Sequence, residues 1–465
     1  MALGSQGGLS TPNASEASQF VAKDFNFAAD KKSASDLASE DGLTHTRGSL
    51  AYYNNSSGNL VSVTSNEPVY EYSQGGASLG IRIEPATTNK IKNTALDSDE
   101  ISSSGTAWLR PGAEPTIALG DESNITSPDG ASNGVSFTGS ASSSSGNWHL
   151  MYDAGTIAGS ATLNGWSASV YAKAGNAKYI GMAFSNSAKI GAAFRLATDG
   201  YDAPGIVNSN NCTASMEDVG DGWYRCKVEN ITNSAAWSLF AIKVASTAAL
   251  IWDDSGLGSW TQGSDYPSST ANYIYLFGPQ LEGSTVCTSY MANPSELSAG
   301  VARAETVVSA TSSNSPNFAS FYNQSAGTFA IEGSRNIAGS TDRPTILEVN
   351  TGGEGEDALG FDVNATKECM AVHSDGSQVA LLEAGDDVAK NTAFKISGAY
   401  ASGNYGACLN GGTVVTNSLS GVPTVDQLHF GQSEWNTNRK YNGHIKRVRY
   451  WRRRVPDAYL KKIST

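Results

Sequence analysis

Residues 79–91 read LGIRIEPATTNKI. From Leu79 to Ile83 apolar and polar side chains alternate with a period of two, which puts Leu79, Ile81 and Ile83 on one face of a β-strand. Pro85 then ends the strand, because proline has no N–H to give to a ladder and holds the residue before it extended. The stretch contains no catalytic or ligand-binding constellation. Its information is architectural, and it predicts a boundary in the chain.

Upstream, residues 44–92 carry two hairpin signals, with the turn clusters YNNSSGN (53–59) and Gln74-Gly75-Gly76 between alternating runs. Residues 1–43 are small and polar, with at most a short helix around Ser15–Asp24. They read as an extended N-terminal arm that orders against a partner. Downstream, residues 93–293 contain GWSASVYAKA (165–174), AKYIGMAFS (177–185), GWYRCKVEN (222–230), AWSLFAIKVA (236–245) and ANYIYLFGPQLE (271–282). Gly, Asn, Asp and Ser separate these runs, as in a sandwich or barrel. Residues 294–316 lose the alternation and read as a linker. Residues 317–465 return to strands such as PTILEVN and ALGFDVN and close with a helix, PDAYLKKI, that has Pro456 at its first turn. The expected fold is all-β: tandem antiparallel β-sandwich (jelly-roll) domains behind an extended arm.

Composition agrees with that reading. At 465 residues the chain exceeds one ordinary core. Charged residues are only 16%, and 49 glycines stand against 14 prolines, a turn-rich balance. The five cysteines (Cys212, Cys226, Cys287, Cys369, Cys408) form no zinc-spaced cluster; free buried thiols are expected, with a Cys212–Cys226 pair left open. The first twenty residues lack the basic and apolar regions of a secretory signal, and no run approaches the roughly 18 apolar residues of a membrane-spanning helix. From Trp435 to Thr465, ten basic residues face one acid, Asp457, a net +9 that leaves −22 on the other 434 residues. An acidic body argues against nucleic acid as a partner.

Gly76-Ala77-Ser78-Leu79-Gly80 matches the GxSxG string of a serine nucleophile, but that chemistry needs a strand turning into a helix, and here a strand follows. Three acidic clusters, Asp97/Asp99/Glu100, Glu354/Glu356/Asp357 and Glu383/Asp386/Asp387, lie in Gly- or Ser-rich loops. They read as solvated loop acids with no assignable acid and base, and a loop calcium site is the intermediate reading; no other cofactor is expected. Sugar rings stack on Trp and Tyr while their hydroxyls seek Asn, Asp and Gln. Trp252, Asp253, Asp254 and Trp260 in one polar loop, and Trp435, Asn436 and Asn438 in another, are therefore the ligand candidates. Trp223, inside an alternating strand, reads as core. Arg447, Arg449, Arg452, Arg453 and Arg454 form a basic patch suited to carboxylate or phosphate, or to balancing the chain's own acidic body.

The run from Leu43 to Asn89 resembles the N-terminal segment of bacteriophage virion proteins of the tail- or head-fibre kind. Thr46, Arg47, Gly58, Gly80, Ile83, Glu84, Pro85, Ala86, Thr88 and Asn89 stand where that pattern places them. The unit that follows, with SVYAKAG, VGDGWYRCKV and YIYLFGPQLEGSTVCTSYMAN, is similar to the jelly rolls of carbohydrate-binding modules. The C-terminal part, with CLNGGTVV and LHFGQSEWNTNRKYNGHIKRVRYWRRRV, is similar to concanavalin A-like or laminin G-like sandwiches. The resemblance implies a non-enzymatic virion protein made in the host cytoplasm. It implies an arm (1–43) that binds other virion proteins, a hairpin module (44–92), a jelly roll (93–293), a linker (294–316) and a second sandwich (317–465). Its implied role is recognition of a host-surface glycan, as a homotrimer by analogy with such fibres. The rival readings are a head decoration or tail-lattice protein and, second, a glycan depolymerase.

Overall fold

Alternating strands with one apolar face must bury that face against another sheet, and the chain does so twice. The computed structural model describes residues 21–91, 94, 96, 101–102, 108–109, 118–119, 125–139, 150–153, 163–185, 190–198, 200, 202–232, 238–245, 272–293, 300–337, 343–353, 355–365, 367–385 and 388–465. These residues form two all-β units.

The first unit comprises described residues 21–45 together with Leu79–Glu84 and Thr306–Thr465. Its strands are β1 (Lys23–Phe25), β2 (Ser78–Ile83), β3 (Val307–Ala310), β4 (Ala326–Arg335), β5 (Thr345–Asn350), β6 (Ala358–Asn364), β7 (Lys367–Ser374), β8 (Ser377–Glu383), β9 (Ala393–Ala401), β10 (Tyr405–Leu409), β11 (Val415–Asn417), β12 (Gln427–Phe430) and β13 (Gly443–Trp451). One sheet runs β11-β10-β9-β4-β13, with β2 and β1 each paired to β13; the other runs β3-β12-β5-β6-β7-β8. All these pairings are antiparallel. Leu347, Val349, Leu359, Phe361, Met370, Val372, Leu428 and Phe430 line the inner face of the second sheet and are buried. Phe329 of β4 meets Phe361 of β6 edge-on at 5.9 Å. The C-terminal helix α1 (Asp457–Ile463) covers the outer face of the first sheet, packing Leu460 and Ile463 with Ala399, Cys408, Trp451 and Val455.

The second unit comprises Thr46–Ser78 and Pro85–Glu305. One sheet orders Ala118–Leu119, Val135–Gly139, Asn272–Glu282, Trp166–Ala174, Trp223–Ile231 and Thr213–Asp218. The other orders Gly205–Asn210, Gly191–Arg195, Tyr179–Ser185, Ser238–Ala245, Leu150–Asp153, Trp108–Leu109 and Ile101–Ser102. Val170, Phe194, Cys226, Phe240, Ile274 and their neighbours fill the space between. Pro279 sits inside a paired strand because Gly278, at φ +56°, forms a bulge with it where the register against Trp166–Ala174 shifts.

The stretch that stops at Pro85 is a strand of the C-terminal sandwich, with Ile81 opposite Ile445 and Ile83 opposite Gly443. Its Gly80 lies at φ +96°, and a Cβ there would stand 2.2 Å from the Ile445 carbonyl oxygen, so no other residue fits. The units divide between Glu84 and Pro85. The expected hairpin module, 44–92, is thus shared between both units. Part of the expected arm is also built in: Lys23–Phe25 is a strand instead of a helix, and Phe25, Phe27, Leu37 and Leu43 are buried. Within the expected linker, Val301–Arg303 pairs with Thr87–Asn89, and β3 pairs with β12. These strands are three or four residues long, too short for alternation to show in the sequence.

Candidate functional site

The second sheet of the first unit turns polar side chains outward where its inner face is apolar, as a period of two requires. Two rows cross it in register. One runs Ser309, His429, Glu348, Gly360, Ala371 and Leu381; the next runs Gln427, Asn350, Ala358, His373 and Gln378. Asp362 lies two residues beyond Gly360 on the same face. Small residues at 358, 360 and 371 leave a floor between polar walls. A Cβ at Gly360 would meet Asp362 Oδ1 at 3.0 Å and Glu348 Oε2 at 3.7 Å, so glycine makes room for both carboxylates.

The loop between β12 and β13 folds over this face. Glu348 holds it down: Oε2 accepts from the Ser433 hydroxyl at 2.6 Å, and Oε1 accepts from the Glu434 and Trp435 backbone N–H groups at 2.8 and 3.3 Å and from Asn350 Nδ2 at 2.8 Å. Burial, the largest influence on Glu348, pushes its pKa up to about 7. Asp362 accepts from Thr345 Oγ1 at 2.9 Å, Arg343 Nη2 at 3.0 Å and Arg439 Nη1 at 3.4 Å. Both carboxylates are braces with fixed donors. Arg343 sits at φ +52°, a conformation arginine seldom adopts, and also donates to Gln378.

Trp435 lies in this loop and is half-buried. Its ring stacks on His373 with centroids 4.1 Å apart, and the Arg439 guanidinium lies 4.6 Å from the ring centroid. Both ring nitrogens of His373 and the Trp435 indole N–H are buried without a hydrogen-bond partner among the described residues. Burial pulls His373 down to about 3, so its imidazole is neutral near pH 7. His429, buried beside Gln427 and Gln432, falls to about 4 for the same reason.

The structure gathers Trp435, Asn436 and Asn438 into this one loop, Asn436 half-buried and Asn438 exposed. Trp252, Asp253, Asp254 and Trp260 lie outside the described residues, as do Asp97, Asp99, Glu100, Glu354, Asp386 and Asp387. Asp357 braces its turn by accepting from the Asp375 and Thr424 backbone N–H groups, whereas Glu383, expected in a loop, is the last residue of β8 and accepts from Asn364 at the end of β6. Among the described residues no three His, Cys, Asp or Glu side chains gather closely enough to hold a metal. The basic patch is engaged within the chain: Arg447 grips Asp24 with both arms of its fork, Arg449 reaches Glu332 and lies over Trp451, and Arg454 pairs with Asp457. Arg452 and Arg453 are exposed. All five cysteines are free, and the Cys212 thiol donates to the Gly191 carbonyl. Trp223 is core, its indole N–H donating to the Thr126 carbonyl at 3.0 Å.

Sequence reasoning singled out Trp435 but not the residues packed around it, Glu348, Asp362, His373 and Arg439. The signal was present in TILEVN and ALGFDVN, where alternation places Glu348 and Asp362 opposite the apolar face.

No protein-family model matches the chain, and no curated protein matches it. Among solved structures, the CBM40 of Ruminococcus gnavus IT-sialidase bound to α2,3-sialyllactose is similar at 16% identity, covering 34% of this chain and 92% of that one with a TM-score of 0.30. The NanB sialidase from Streptococcus pneumoniae is similar at 11% identity, covering 32% of this chain and 25% of that one with a TM-score of 0.27. A SAP-like pentraxin from Limulus polyphemus is similar at 8% identity, covering 31% of this chain and 73% of that one with a TM-score of 0.25.

Proposed function

We propose that this protein is a non-enzymatic glycan-binding β-sandwich protein of a bacteriophage particle, displaying its sandwiches toward the host surface. The observation that carries the binding reading is the setting of Trp435. A half-buried indole at a polar sheet face, its faces held by His373 and Arg439 and its neighbours Asn436 half-buried and Asn438 exposed, offers an apolar edge for a sugar and amides for its hydroxyls. The virion setting rests on the pattern from Thr46 to Asn89 alone. Homotrimer assembly, anchoring through residues 1–43 and gains in avidity from repeated copies follow from that setting.

Binding is favoured over hydrolysis because each carboxylate of the face has its oxygens committed. Glu348 accepts from two backbone N–H groups and two side chains, and Asp362 from two arginines and a threonine. Neither is placed to trade a proton with a substrate.

The test is a glycan array and calorimetry with the full chain and with Trp435→Ala. Wild type is expected to bind a subset of bacterial surface glycans, and the variant to lose most of that binding while keeping its far-UV spectrum. Equal binding by both proteins would move the site elsewhere, and no binding by wild type would leave a decoration or lattice role.

A further inference from the structure

Arg439 is held in an unusual way for a buried arginine. Its guanidinium rests on the Trp435 ring at 4.6 Å, and its one side-chain hydrogen bond among the described residues is the 3.4 Å contact from Nη1 to Asp362, which Asp362 shares with Arg343 at 3.0 Å. Among the described residues the Nε and Nη2 hydrogens of Arg439 have no acceptor, yet these atoms are not sealed off as the indole N–H of Trp435 is. Charge adds to this. Arg343, Arg439 and Lys440 surround the loop against Asp362 and Glu434, while Glu348 is buried beneath it.

We propose that the Trp435 site takes a sugar bearing a carboxylate, such as a hexuronic acid, with the ring against the exposed part of the indole and the carboxylate in the unfilled fork of Arg439. A guanidinium presents two parallel N–H groups that match the two oxygens of a planar carboxylate, and such charge-assisted pairs are about twice as strong as neutral ones. The fork is already oriented by stacking and by Asp362, so little side-chain freedom is lost on binding. Exposed Asn438 stands one residue away for the hydroxyls. The inference rests on the glycan-binding reading and narrows it to one ligand class.

Calorimetry on the full chain with oligomers of galacturonate, mannuronate and glucuronate, each beside its carboxyl-reduced counterpart, tests it. At least one acidic oligomer is expected to bind about tenfold or more tightly than its reduced partner. Arg439→Gln should weaken the acidic oligomer far more than its reduced partner and so erase the preference, and Arg439→Lys, which keeps the charge without the fork, should restore only part of it. Thermal melts confirm that both variants fold. Equal affinity for acidic and reduced oligomers, or a preference limited to a sulfated oligosaccharide, would overturn the carboxylate inference and leave glycan binding standing. Binding of none of these oligomers would overturn the carboxylate inference, and the glycan array alone decides the broader reading.

Discussion

Glu348 shows how one buried carboxylate organises a site from below. It reaches across 85 to 87 residues of chain to Ser433, Glu434 and Trp435, contacts no local pattern announces. Its pKa, raised from 4.5 to about 7, means the folded state holds the proton more tightly than the unfolded chain does. The resulting stabilisation is complete below pH 4.5, declines as pH rises and is gone above pH 7; at full strength it is on the order of 3 kcal/mol. Glu348→Gln removes that titration while keeping an acceptor for the loop. Urea unfolding from pH 4 to 8 should show wild type losing ground to the variant across that window, and a pH-independent difference would refute the assignment. His373 works in the opposite direction: lowered to about 3, it contributes stability present above pH 6.5 and lost on acidification. The two are separable because only one is removed in the variant. What the sequence told of this site was its faces, since alternation places Glu348 and Asp362 outward. What it hid was the loop that closes over them, because backbone N–H donors carry no residue signature.

At the scale of elements, the short strand β1 is the least legible and among the most consequential. Three residues cannot display a period, yet β1 pairs Lys23 with Tyr450 and Phe25 with Val448, and it delivers two aromatic rings to the sandwich. Phe25 packs edge-on against Phe430 at 5.6 Å and Phe321 at 6.0 Å, and Phe27 meets Phe430 at 5.8 Å. The neighbouring ion pair, Asp24 with Arg447, is about one-third exposed on each side. These contacts differ sharply in worth: a fully buried phenylalanine lost to alanine costs about 3 kcal/mol or more, and an exposed pair under about 1 kcal/mol. Phe25→Ala should therefore lower the unfolding midpoint of the first unit clearly, and Asp24→Ala scarcely. Comparable losses would mean that charge, not packing, fixes β1. The longer strands were readable for the complementary reason. Trp166–Ala174, Trp223–Ile231 and Asn272–Glu282 each run nine residues or more, and their alternation or continuous burial shows directly.

For the whole molecule, the sequence showed two sandwiches but not their interleaving, because a crossing of the chain between units leaves no compositional mark. The first unit draws on described residues 21–45, on Leu79–Glu84 and on Thr306–Thr465, so the part from 317 onward is incomplete by itself. Expressed alone, residues 317–465 lack β1, β2 and β3. That fragment should expose the unpaired edges of β13 and β12 and aggregate, whereas full-length protein should melt cooperatively in light scattering and calorimetry; a soluble, folded fragment would show that the discontinuous strands are dispensable. The same interleaving governs how the protein meets mechanical load. Lys23 faces Tyr450 in an antiparallel pair, so a pull between residue 22 and residue 452 draws the two strands apart from one end, in the geometry of a zipper. Such a pull breaks one hydrogen-bonded pair at a time. The second unit, inserted between Thr46 and Glu305, lies outside that path of tension. It would bear no force until the first unit had opened, so a molecule strained at these points would yield first at β1 and keep its inserted sandwich intact.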